Sequence, residues 1–145
     1  MSENEYRLKD KCGVVGVYGN KEASYLAYLG LYALQHRGEE SCGIVSFDEK
    51  QMRVHRGMGL VGDVFNQEIL NSLVGNMAIG HVRYSTTGSS MLRNVQPLVV
   101  DYARGEIAIG HNGNLVNAAG LRDELEKQGS IFQTTVDSEI IIHLI

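Results

Sequence analysis

Residues 12–19, CGVVGVYG, decide how the rest of the chain is read. The eleven residues before them, MSENEYRLKDK, are polar and charge-balanced, and the chain turns apolar, glycine-punctuated and strand-like at Cys12. A boundary of that kind predicts a leader, residues 1–11, that is cut away to leave a cysteine with a free α-amino group. Such a residue carries a nucleophile and a base on one frame. Thiols ionise at about 8.5 and α-amines at about 7.7–8.0, so the amine can take the thiol's proton at neutral pH. Taken alone, Cys12 also reads as a small buried residue at a strand start.

Outward from this stretch, 12–19 reads as a buried strand. Asn20 is placed to cap a helix over 21–36, ended by Gly38, whose apolar residues surround most of its circumference and predict a largely buried element. CGIVSF (42–47) and QMRVHR (51–56) read as a hairpin across Asp48 to Lys50, and DVFNQEILNSLV (63–74) as one short amphipathic helix. MAIGHVRY (77–84) is a strand running into the hydroxyl-rich loop STTGSS. PLVVDY (97–102) and EIAIGHNG (residues 106–113) are two more strands, paired through Ala103 to Gly105. Asn117 is placed to cap a helix over 118–128 with Leu121 and Leu125 on one face, and Gly129 ends it. Hairpin links outnumber βαβ crossovers, which predicts antiparallel sheets with helices outside and an α+β class.

The chain has 145 residues, of which 43% are hydrophobic and 21% charged, with seventeen glycines and one proline; this is enough for one domain with its own core, over 12–145. A net charge of -4 gives no electrostatic footprint for nucleic acid or an anionic membrane. No stretch approaches the roughly 18 apolar residues of a membrane span, and no secretory signal opens the chain. Two cysteines make neither a disulfide framework nor a zinc pattern, so a reducing, cytoplasmic setting is expected. The last residues, DSEIIIHLI, start like a helix capped by Asp137 or Ser138 and stop without a cap, which predicts a chain cut from something longer.

GMGLVGD (57–63) is a formal G-x-G-x-x-G, but no acid stands near position 80 to hold a ribose, and a strand-to-helix turn explains its glycines. Three other places gather polar chemistry at strand or helix ends. QHRGEES (35–41) carries Arg37, which either caps the helix terminus or serves a site. HVRYSTTG (81–88) sets Arg83 inside an apolar strand, suited to bidentate capture of a small carboxylate or to a buried ion pair. GHNGN (110–114) offers the Asn112 side-chain amide and the Gly113 N–H, the donor pair of an oxyanion hole, or simply a tight turn. Asp137 is a helix cap or a partner for an ammonium group. The five histidines show no metal spacing and read as structural, and Cys42 reads as a buried small residue. A nucleophile with its own base, oxyanion donors, an arginine for a carboxylate and an aspartate for an ammonium together describe a site for an amino acid attacked at its side-chain amide. Glutamine is the obvious substrate.

CGVVGVYG after a short leader, LYALQHRGEES, HVRYSTTG, PLV, HNGNLVN and TTVDSE, in this order, closely resemble the glutaminase domain of the amidophosphoribosyltransferases, a family of class II glutamine amidotransferases. The resemblance implies an N-terminal-nucleophile (Ntn) hydrolase fold, a four-layer αββα sandwich, C-terminally incomplete here. It implies that Cys12 forms a γ-glutamyl thioester and releases ammonia, with Asn112 and Gly113 as the oxyanion hole. Arg83 would hold the glutamine α-carboxylate, Asp137 the α-ammonium, and Arg37 would support the cysteine; Thr86 and Thr87 lie in the glutamine-site loop. The partners implied are L-glutamine and, through a domain absent from this chain, phosphoribosyl pyrophosphate, in a homo-oligomer when full length. No cofactor is expected in this chain. The full-length enzyme would use Mg²⁺, and some relatives with such a leader bear a 4Fe–4S cluster; both lie outside these residues, since Cys12 and Cys42 cannot supply four ligands. Two other readings stand beside this one: a non-catalytic fragment or interaction module with an unpaired sheet edge, and the glutaminase domain of another class II amidotransferase.

Overall fold

The computed structural model describes residues 12–37, 40–84 and 91–145, with only the backbone of residue 37. The expected leader, Gly38, and the loop that carries Thr86 and Thr87 lie outside the described residues. Four strands form one antiparallel sheet in the order β1–β4–β2–β3: β1 (Gly13–Tyr18), β2 (Ser41–Phe47), β3 (Met52–Met58) and β4 (Met77–Arg83). The β2–β3 hairpin turns where expected, with the Asp48 carboxylate accepting the backbone N–H groups of Lys50 and Gln51 at 3.1 Å each. Its third partner, Arg53 at 2.6 Å, does most to hold the Asp48 carboxyl down at about 2.

Alternation along the strands gives the sheet two unlike faces. Val15, Val17, Cys42, Ile44, Ala78 and Val82 point to helix α1 (Ala23–Leu34) and form the core with its Ala23, Ala27 and Leu31. The opposite residues, among them Val14, Gly43, His81 and Arg83, point to a second antiparallel sheet, β5 (Leu98–Tyr102) paired with β6 (Gly105–Ile109). Behind that hairpin, α5 (Ser138–Leu144) rests on β5 and β6, and α4 (Ala118–Lys127) on α5. Helix, sheet, sheet and helix therefore follow one another in the layer order expected. Toward the Tyr18, Phe47 and Met77 end, the two sheets part around an apolar cleft of about 820 Å³ that reaches Arg104 and Ala108.

Four expectations about local structure need correction. Helix α1 buries only Ala23, Ser24, Ala27 and Leu31, while Tyr25, Leu26, Leu29 and Tyr32 are exposed, because a single sheet covers a single stripe. Its entry is shaped by Asn20, whose side chain accepts the Glu22 N–H at 2.8 Å, but the cap position itself falls on Glu22. The element expected over 63–74 is two helices, α2 (Val61–Val64) and α3 (Gln67–Ser72). Phe65 adopts extended backbone and is buried, and Asn66 starts a new helix by accepting the Ile69 N–H at 2.8 Å. Strand β1 is buried on one face only, since Tyr18 at the cleft is 85% exposed. At the turn after β3, Gly57 abuts Val64 and Gly59 takes φ +116°, in keeping with the strand-to-helix reading of those glycines.

Candidate active site

The site residues gather at one end of the sheet through strand register. Gly13 pairs with Val82, and Ser41 pairs with Arg83 on the other side of β4. Cys12 immediately precedes the first of these pairs and so enters the sheet at the Arg83 end of β4. The Cys12 thiol donates a long contact of 3.9 Å to the Tyr84 carbonyl. Cys42 behaves as the sequence predicts: it is buried against α1, and burial pushes its thiol up to about 12. Of the two cysteines only Cys12 is partly open to solvent.

Arg83 reaches the segment between β4 and β5. Its guanidinium donates to the Asn94 carbonyl at 3.0 Å, and among the described residues it forms no ion pair, so the carboxylate partner of the alternative reading is not found there. Asn94 is buried and spends its side chain on Thr135: Nδ2 donates to the Thr135 hydroxyl at 2.8 Å, and Oδ1 accepts the Thr135 N–H at 3.1 Å. Asn94 thereby ties the Arg83 strand end to the run TTVDSE. Within that run the buried Glu139 carboxylate accepts the Gln133 and Thr134 N–H groups at 2.8 and 2.7 Å and the Thr134 hydroxyl at 2.6 Å. Asp137 follows at the start of α5, yet its side chain makes no cap bond to the helix. One carboxylate oxygen instead accepts the Leu115 N–H at 2.7 Å, and the other stands 3.7 Å from His111 Nδ1.

Those contacts bring Asp137 to the HNGN turn that leaves β6. Gly110 lies against Val14, two residues along β1 from Cys12, so the turn sits at the cysteine end of the sheet. Asn112 and Gly113 are exposed. A Cβ on Gly113 would stand 2.7 Å from His111 Nε2, so only glycine leaves the imidazole where it is. The His111 Nδ1 also contacts the Ser138 hydroxyl at 3.3 Å. His81, on β4, is fully buried, and its Nε2 donates to the His111 carbonyl at 3.0 Å. Among the described residues its Nδ1 has no partner, and burial with the nearby Arg83 charge brings its pKa down to about 4, so the ring is neutral at physiological pH.

Cys12, Arg83, Asp137 and the Asn112–Gly113 turn thus share one end of the inter-sheet space. Arg37 closes the 3-10 turn after α1, and its side chain lies outside what is described, as do Thr86 and Thr87. Sequence reasoning missed Asn94 and Gln96, and treated His81 and His111 as structural. Their polar, loop-like setting gave no periodic signal, and only the Gln-Pro pair at 96–97 hints that this segment is fixed. The residues present do not fit a 4Fe–4S cluster, because Cys42 is sealed under α1 and only one other thiol exists. Among the described residues no cluster of three His, Cys, Asp or Glu side chains could hold a metal ion, and no helix is long and apolar enough to cross a membrane.

Comparison with known proteins places this chain in a class. Residues 54–145 match the family model described as a glutamine amidotransferase domain. Among named relatives, an amidophosphoribosyltransferase of Lacticaseibacillus casei is 51% identical over 139 residues, covering 95% of this chain and 72% of that one. Amidophosphoribosyltransferase 1, chloroplastic, of Arabidopsis thaliana is 55% identical over 144 residues, 99% of this chain and 25% of that one. Among solved structures, glutamine phosphoribosylpyrophosphate amidotransferase from B. subtilis, complexed with ADP and GMP, superposes with a TM-score of 0.84 at 48% identity, covering 90% of this chain and 28% of that one. A structure described as the allosteric regulatory enzyme of purine biosynthesis does so at 0.87 and 48%, with the same coverage. The chain belongs to the glutamine amidotransferases and, within them, to the amidophosphoribosyltransferase family, with the Ntn hydrolase fold. It spans about a quarter of the length of the curated relatives it first matches.

Proposed function

We propose that this chain is the glutamine-hydrolysing part of an amidophosphoribosyltransferase, and that its site cleaves the side-chain amide of L-glutamine. With residues 1–11 removed, the α-amine of Cys12 takes the thiol proton, and the thiolate attacks the γ-carbonyl carbon. The oxyanion formed is received by the Asn112 amide and the Gly113 N–H. The amine then passes its proton to the departing nitrogen, the C–N bond breaks, and ammonia leaves behind a γ-glutamyl thioester. Water attacks that thioester by the same route and releases glutamate and the thiol. Arg83 holds the α-carboxylate of glutamine through the donors not spent on Asn94, and Asp137 holds its α-ammonium group through the oxygen not spent on Leu115. Arg37 supports the cysteine end, and Thr86 and Thr87 belong to the loop over the substrate.

In the whole enzyme the ammonia replaces pyrophosphate on phosphoribosyl pyrophosphate to give phosphoribosylamine, the first committed step of purine synthesis. Mg²⁺ and the acceptor site belong to parts of the enzyme other than these residues, and a homo-oligomer of the full-length enzyme and a cytoplasmic setting belong to the same reading. The observation that carries the proposal is the β1–β4 pairing that brings Cys12, just before β1, to the Arg83 end of β4, with Asp137 bonded to the Leu115 N–H just after the HNGN turn. The test uses an amidophosphoribosyltransferase that carries this sequence as its N-terminal part. Cys12→Ala is expected to abolish glutamine-dependent but not ammonia-dependent phosphoribosylamine formation, and N-terminal sequencing of active enzyme to begin at Cys12. Glutamine use retained in the variant would defeat the assignment.

A further inference from the structure

The oxyanion donors sit on a turn with no regular structure of its own, so something else must aim them. Asn112 and Gly113 are exposed, and the strand that precedes them ends at Ile109. Yet the residue just before them is held at both of its peptide groups. The His111 N–H donates to Gln96 Oε1 at 2.8 Å, and the His111 carbonyl accepts from His81 Nε2 at 3.0 Å. These two bonds fix the two peptide planes that flank the His111 Cα. The point and direction at which the chain enters Asn112 are therefore set from outside the turn. At the far side of the turn the Leu115 N–H is held by Asp137.

Both anchors are buried, Gln96 at 5% exposure and His81 at 0%, so neither can exchange the turn for water without leaving a polar group unpaired. Gln96 is itself located by close approach to the sheet. A Cβ on Gly43 would stand 2.4 Å from the Gln96 carbonyl oxygen, and Arg56 donates to the Val95 carbonyl next to it at 3.1 Å. We propose that Gln96 and His81 are positioning residues for the oxyanion hole: by pinning the two peptide groups of His111 they hold the Asn112 amide and the Gly113 N–H where charge develops on the glutamine side-chain oxygen. This rests on the glutaminase reading of the site. Because that charge is largest in the transition state, a loosened turn lowers kcat and leaves the affinity for glutamine nearly intact.

Gln96→Met keeps the side chain's length and removes its acceptor; Gln96→Glu keeps an acceptor. In Gln96→Met the kcat for glutamine is expected to fall roughly 10- to 100-fold, less than the roughly 10²–10³-fold cost of deleting an oxyanion donor outright. KM for glutamine and ammonia-dependent turnover stay within about twofold, and Gln96→Glu recovers most of the loss. The γ-aldehyde analogue of glutamine, whose hemithioacetal oxygen occupies the hole, loses affinity in step with kcat/KM, whereas glutamate does not. An unchanged kcat in Gln96→Met, or an equal fall in ammonia-dependent turnover, overturns the proposal. If Gln96→Met is not recovered folded, Gln96→Asn, which shortens the reach by one methylene, takes its place: a selective fall in glutamine-dependent kcat supports the positioning role, and its absence overturns it. Cys12→Ala separates the two levels. Glutamine hydrolysis that survives it defeats the underlying reading, while Cys12-dependent hydrolysis indifferent to Gln96 defeats the positioning role alone.

Discussion

The two faces of the four-stranded sheet are held by different physics. Toward α1, apolar side chains meet apolar side chains: Leu31, Ile44 and Val82 are fully buried and their contacts are interchangeable in kind. Toward the second sheet, the described contacts at the cysteine end are polar and individually addressed, each joining one side chain to one group of another segment, as His81 does to His111 and Arg83 to Asn94. The same face at the opposite end is an open apolar cleft. A substitution on the α1 side should therefore disturb stability alone, whereas one on the second-sheet side should disturb site geometry as well.

The largest separation should come from Leu31→Ala. Removing this fully buried side chain costs about 2–5 kcal/mol of stability, read as a lowered urea midpoint, while kcat for glutamine at 25 °C is unchanged in the folded fraction. A matching fall in kcat would break the division between the faces. Gly43→Ala, on the other face, should cost about 1–3 kcal/mol as the new Cβ pushes against the Gln96 carbonyl, and here kcat should fall with stability. An unaltered kcat would show that the 94–97 segment can shift without consequence for the turn.

Acid should act through the same face. The folded pKa of His81 lies at about 4, below the ordinary value of 6.5, so between these values the unfolded chain binds the extra proton. Its contribution is complete above about 6.5 and is lost as pH falls toward about 4, with a slope of up to about 1.4 kcal/mol per unit. Urea melts at pH 7.5, 6 and 5 measure this slope, and His81→Gln should flatten it; an equally steep slope in the variant would assign it to other groups. The smallest effect is expected at the cleft. A Cβ on Gly16 meets nothing within 4 Å, so Gly16→Ala should raise stability by about 0.4–1 kcal/mol, whereas Gly80→Ala, whose Cβ would stand 2.9 Å from Leu31 on the packed face, should lower it. Thermal melts of the pair test the contrast directly.

Legibility in the sequence followed the same division. Strand alternation and the Asp48 turn signal located β2 and β3 because period and turn chemistry are local properties. The end residues Cys12, Arg83, Asn112 and Asp137 could also be picked out, since each is an unusual residue type for its place, and the structure brings them to one end of the sheet. What failed was anything set by a distant partner. The composition of α1 reads as buried all round, but how many neighbours cover a helix is not written in the helix. Asn94 and Gln96 look like ordinary loop residues, and their roles appear only once segments 41 and 15 residues away arrive beside them. His81 looked structural, and it is, but what it holds is the His111 peptide at the entry to the Asn112–Gly113 turn.

The burial of Cys42 has a practical corollary for counting molecules. The residue is 1% exposed and its thiol is pushed up to about 12, so in the folded chain Cys42 is closed to an alkylating reagent that seeks thiolates at neutral pH. Any label the folded chain takes up therefore reports on Cys12 alone, and a second equivalent appears only when the α1 side of the sheet opens.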